Sequence, residues 1–151
     1  MRILAYEPRH TAAWRDLNHA WIEKHFALEA SDHEVLDHPE ANILAKGGHI
    51  FIAEADSGEP IGCVGLKAMA DGGFEVVKMT VTEAARGTGL GRLLMDRCIE
   101  TARAAGAPRL YLETNSALGP ALSLYRAVGF ADLPARETPY ARCDVWMELP
   151  L

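Results

Sequence analysis

Between Phe74 and Pro108 the chain changes its hydrophobic period once, across a loop of three alternate glycines. FEVVKMTV (74–81) is an apolar run that reads as a strand, and largely apolar strands are covered on both faces, so it belongs near the centre of a sheet. Gly87, Gly89 and Gly91 follow. Leu90, Leu93, Leu94, Cys98, Ala102 and Ala105 then recur at helical spacing, until Gly106 and Pro108 end the pattern. A helix start leaves backbone amides unpaired and carries partial positive charge. Glycines let a bulky anion come close to such amides. A plain turn that binds nothing is the alternative, but three alternate glycines carry an entropic cost that a simple turn would avoid.

The rest of the chain alternates in the same way. RILAY is a first strand, and a helical stretch after it places Trp14, Leu17 and Trp21 on one stripe, read as core. SDHEVLDHPE is a second helix, with Ser31 as its expected N-cap and Glu34 three residues on. HIFIAEA and PIGCVGLKAM are strands, and Asp71-Gly72-Gly73 marks a hairpin before FEVVKMTV. RLYLET is a strand, SALGPALSLYRAV a helix closed by Gly129, and ARCDVWMEL a last strand. The order β-α-α-β-β-β-α-β-α-β predicts an α/β fold of the α+β type, a mixed sheet with helices on its faces.

A chain of 151 residues, 49% apolar and 24% charged, has the size and composition of one globular domain, residues 1–151. A net charge of −6 argues against nucleic acid as a partner. Neither a signal peptide nor an apolar run of membrane-spanning length is expected. Cys63, Cys98 and Cys143 are odd in number and widely spaced, which fits a reducing cytoplasm better than a disulfide scaffold. Cys63 and Cys98 read as buried small hydrophobes. His33 and His38 lie close in sequence, yet no carboxylate or third histidine completes a zinc spacing, so no metal is expected.

Two common phosphate loops fail on this glycine segment. A nucleotide P-loop needs a lysine that is absent, and in a dinucleotide fingerprint counted from Gly87 the third glycine would fall on Arg92. The pattern present is R-x-x-G-x-G at Arg86, Gly89 and Gly91. With the strand before it and LYLETNS and ALSLYRAVGF after it, the chain resembles the GNAT superfamily of acyl-CoA-dependent N-acyltransferases, most strongly from Phe74 to Phe130. The resemblance implies a mostly antiparallel central sheet and acetyl-CoA as cosubstrate. Its pyrophosphate would lie on the amides of Arg86, Gly87, Thr88, Gly89, Leu90 and Gly91, with Arg92 adding charge outside. It further implies a fourth strand splayed from the fifth, so that main-chain groups of Met79, Thr80 and Val81 bind pantetheine.

Acyl transfer to an amine needs a group that accepts the ammonium proton and a donor for the departing thiolate. Glu75 shares strand parity with Val77, Met79 and Val81, an acid on an otherwise apolar face where burial would raise its pKa. It lies eleven residues before Arg86, the spacing of the glutamate base in some histone-acetylating relatives. The competing reading is a solvated residue paired with Lys67 or Lys78. Tyr125 lies seven residues after Leu118 on one helix face, and relatives use a tyrosine there as general acid beside the sulfur. A packing tyrosine is the alternative. Asn115 is either a helix cap near Ser116 or a further contact to the pantetheine arm.

The expected activity is therefore acetyl transfer to a primary amine of a small molecule or peptide. The competing reading is a coenzyme-A-binding module without catalysis. The acceptor pocket would be shaped by residues 19–40, and a homodimer is compatible with this reading.

Overall fold

The computed structural model describes all residues, 1–151. Its strands are β1 (Arg2–Ala5), β2 (His49–Glu54), β3 (Pro60–Ala68), β4 (Phe74–Val81), β5 (Arg109–Thr114), β6 (Ala131–Leu133) and β7 (Val145–Pro150). They form one sheet in the order β1-β2-β3-β4-β5-β7-β6, with β4 at its middle. Only the β4–β5 pair is parallel. The helices are α1 (Thr11–His25), α2 (Ala30–Asp37), α3 (Pro39–Asn42), α4 (Leu90–Ala104) and α5 (Gly119–Val128).

Two cores lie on opposite faces of the sheet. One joins Val64, Leu66, Val76, Leu110 and Leu112 to Leu90, Leu94, Met95, Cys98 and Ala102 of α4. Leu93 is instead 43% exposed and Ala105 is exposed, so the buried stripe of α4 is narrower than the helical pattern suggests. The other core joins Ile50, Ile52, Cys63 and Val77 to Trp14 and Ile22 of α1 and Val35 and Leu36 of α2. On α1 the fully buried row is Trp14, Asn18 and Ile22, with Leu17 and Trp21 packed at its flank. The Trp14 indole donates to the Val35 carbonyl at 2.9 Å and fixes α1 against α2.

Several ends differ from expectation. The N-cap of α2 is Glu29, not Ser31, and the Glu29 amide donates to Asp32 Oδ2 at 2.9 Å. The reason is tertiary. The Glu29 carboxylate also receives the Ala141 amide and Arg142, which holds the helix start against the loop before β7. Helix α5 begins at Gly119 rather than near Ser116, because Ser116 is tied by its amide and hydroxyl to Asp144, each at 2.7 Å. Residues 141–144 are not strand, and a short strand, β6, pairs with β7 instead.

The largest departure is a bulge in β4. Cys63 pairs with Thr80 and Gly65 with Val77, so two β4 residues, Lys78 and Met79, oppose Val64 alone. Lys78 takes a left-handed φ of 55°, which is uncommon for a residue with a side chain. The extra residue reverses parity. Val77 faces α1 and α2, whereas Met79 and Val81 pack with α4. Glu75 therefore shares its face with Val77 but not with Met79 or Val81.

Candidate active site

The loop before α4 is built to expose amides. Gly87 and Gly89 have φ of 74° and 84°, the left-handed region that glycine tolerates. The Thr88 hydroxyl donates to the Ala85 carbonyl and pins the turn. The amides of Gly87, Thr88, Gly89, Leu90, Gly91 and Arg92 have no backbone acceptor, and the first intrahelical bond runs from Leu93 to Gly89 at 3.1 Å. Arg86 departs from the expected cradle, since its amide is bonded to the Glu83 carbonyl at 3.2 Å. Arg92 is exposed, and its guanidinium pairs with Asp96 at 3.0 Å. The result is a run of free N–H groups at the positive end of a fifteen-residue helix, a fit for a diphosphate.

Beside this loop the sheet opens. Strand β4 pairs with β5 only at Phe74–Leu110 and Glu75–Tyr111, so Met79, Thr80 and Val81 have no β5 neighbour. Tyr125 stands on α5, packed on the α4 core with its ring 5.9 Å from that of Phe130. Burial, with the Cys98 thiol beside it, pushes the phenol up to about 12, so it keeps its proton at neutral pH. Asn115 is committed elsewhere. Its amide donates to the Arg142 carbonyl at 2.7 Å and accepts from the Ala117 amide at 2.8 Å, and the N-cap of α5 is Leu118.

Glu75 lies on the opposite face, at the last β4–β5 pair before the opening. Burial, reinforced by the Glu113 carboxylate, pushes its carboxyl up to about 7. Lys67 is its cross-strand neighbour and lowers the value somewhat, but no ion pair forms with Lys67 or Lys78. Lys78 pairs with Asp32 instead. Glu113 accepts from the Tyr111 hydroxyl and from the Thr138 hydroxyl, each at 2.7 Å. Glu113 and Tyr111 were not read from the sequence as site residues. The signal was present in RLYLET, where both alternate with the apolar Leu110 and Leu112.

A buried ion network borders the same face. Asp32 of α2 is fully buried and binds Lys78 and both ends of the Arg142 guanidinium, at 2.8 and 2.6 Å. Burial alone would raise the Asp32 carboxyl, but bonds from Arg142 and Lys78 outweigh it and hold the acid well below the usual carboxylate range. Arg142 also lies over the Tyr140 ring at 4.5 Å. Cys63 and Cys98 are buried and free, and burial pushes both thiols up to about 12, so neither is a nucleophile.

The sheet is parted between its two parallel strands, with a free-amide helix start beside the gap, and the fold as a whole is shared with GNAT acetyltransferases. The chain belongs to the Acetyltransferase (GNAT) family, whose sequence profile matches residues 10–130. An IAA acetyltransferase of Azospirillum brasilense is 41% identical over 90 residues, and the match spans 59% of this chain and 59% of that protein. A GNAT-family acetyltransferase of Staphylococcus aureus Mu50 superposes with a TM-score of 0.89 at 20% identity, covering 99% of this chain and 98% of the other. The Salmonella typhimurium protein yncA, solved with acetyl-CoA as its cofactor, gives a TM-score of 0.75 at 25% identity, covering 99% of this chain and 93% of the other. No helix of this chain is long and apolar enough to cross a membrane.

Proposed function

We propose that residues 1–151 act as one N-acetyltransferase domain that moves an acetyl group from acetyl-CoA directly to a primary amine of a small molecule or peptide. The observation that carries this reading is Glu75, a half-buried carboxyl near pKa 7 with no ion pair, at the point where β4 and β5 part. A base with that proton affinity is half ionised near neutral pH and can relieve an ammonium of its proton. The free amides from Gly87 to Arg92 would hold the pyrophosphate, and the unpaired edge at Met79, Thr80 and Val81 the pantetheine arm. Acetyl-CoA supplies the activated thioester. Tyr125 then donates its proton to the departing sulfur. Base and acid approach the opening from opposite faces of the sheet. The three free cysteines support a reducing, cytoplasmic setting.

The reading is tested by incubating the chain with acetyl-CoA and a panel of amines and measuring released thiol. An amine that raises release well above hydrolysis supports transfer. Coenzyme A binding without release on any amine would make the chain a binding module instead.

Two variants probe the machinery. Gly89→Val forces a β-branched residue into a φ of 84° and reshapes the amide row, although a Cβ there meets nothing within 4 Å. Coenzyme A binding weakens at least ~10-fold, about 1.4 kcal/mol, by calorimetry. Unchanged affinity in a folded variant would remove the loop from the site. Tyr125→Phe keeps the ring against Phe130 and deletes only the donor. Turnover falls ~10-fold or more at near-parental coenzyme A affinity, less than the ~100-fold typical of general acids, because a thiolate is already a tolerable leaving group. A parental rate would make Tyr125 a packing residue.

A further inference from the structure

Helices α1 and α2 carry a second constellation, outside the coenzyme loop and the Glu75 cluster. His19 of α1 faces His33 and Asp37 of α2, and one ligand atom from each lies within 4.8 Å of the other two. The rings of His19 and His33 meet edge to face at 6.1 Å between centroids. His33 Nδ1 is 3.2 Å from Asp37 Oδ2. Tetrahedral ligands on a zinc ion at about 2.0–2.2 Å stand about 3.4 Å apart, so that edge is already at ligand spacing. His19 Nε2 is buried and has no hydrogen-bond partner, an orphaned lone pair or N–H that a protein interior rarely leaves unmet.

We propose that His19, His33 and Asp37 form a binding site for a divalent transition metal of the zinc class, clipping α1 to α2. Two imidazoles and one carboxylate are a donor set that zinc accepts. His33 and Asp37 are exposed and one helical turn apart, so they can rotate onto an ion entering from solvent, while the half-buried His19 presents an inaccessible Nε2. Water fills the fourth position. The site was hidden in the sequence because the third ligand comes from another helix. His33 meets His19, fourteen positions upstream, rather than its near neighbour His38. The clip is separate from the coenzyme loop and from the Glu75 cluster, since none of its ligands belongs to either.

The test uses tag-free chain stripped with EDTA and dialysed, titrated with zinc chloride by calorimetry and followed by thermal denaturation. The expected result is one zinc per chain and a melting temperature that rises with zinc concentration, since a ligand that binds only the folded state stabilises it. Magnesium chloride, which prefers oxygen ligands, gives no shift. Asp37→Asn, an exposed change that leaves the fold intact, and His19→Gln each weaken zinc binding ~10-fold or more. No zinc binding by the parent chain overturns the proposal. So does parental affinity in either variant, which would put the metal elsewhere, for example on Cys143.

Discussion

Glu75→Gln is expected to turn over its best amine ~100-fold or more slowly, with coenzyme A affinity unchanged. Glutamine fills the same volume on the same strand position but cannot accept a proton. The parent rate should rise with pH through about 7 as Glu75 ionises, and the variant should lose that limb. The same substitution should raise stability in mildly alkaline solution. The folded-state pKa of Glu75 lies above its unfolded value of about 4.5, so its contribution to stability is fully present below the unfolded value and is lost as pH rises through about 7. At pH 8 the folded parent holds a half-buried carboxylate that the unfolded chain would solvate fully, a cost of up to about 3 kcal/mol that glutamine does not carry. Rate profiles and urea denaturation at pH 5.5 and 8 check both halves. A rate within a few-fold of the parent would leave water or another group as the base.

Asp32→Ala is expected to be the most destabilising single change, at about 3–5 kcal/mol in urea denaturation near neutral pH. The fully buried carboxylate neutralises Lys78 and Arg142, whose side chains are 7% and 16% exposed. Arg142 keeps Glu29 as a partner at 3.0 Å, whereas Lys78 keeps only Tyr140 at 3.5 Å. Burial already pulls the Lys78 ammonium below its ordinary value, with Asp32 opposing it. Without Asp32 the pull of burial on that group is less opposed, and its proton affinity in the folded state falls further. The deficit should therefore shrink as pH rises towards the unfolded lysine value, about 10.4. A loss under 1 kcal/mol would mean that water replaces the carboxylate and that the network does not hold α2 to β4.

The network also anchors the bulge where β4 changes parity, because Lys78 sits there, three residues from Glu75. Its side chain crosses to α2 while the following residues turn towards α4.

What the sequence by itself determined was everything set by neighbours within a few residues. The apolar run of β4, the helical period of α4 and the turn at Asp71–Gly73 lie where periodicity and turn chemistry put them. Gly87, Gly89 and Gly129 take the positive φ that their loop and capping roles require. Glu75 and Tyr125 were legible as candidates, one as an acid in an apolar strand and the other through the resemblance. The tertiary structure decided what depends on partners far along the chain. The β4 bulge reverses the facing of Met79 and Val81, and its register is set by pairing with β3, not by β4 alone. The cap of α2 moved from Ser31 to Glu29 because Arg142 and Ala141 reach Glu29 across 113 and 112 positions. Asp32 meets Lys78 across 46 positions and Arg142 across 110. No local pattern encodes such meetings, since they exist only once the sheet has brought β4, α2 and the loop before β7 to one place. For the same reason Glu75 could not be told from a surface ion-pair residue by sequence. Its burial, its neighbour Glu113 and the diversion of Lys78 to Asp32 are properties of the fold.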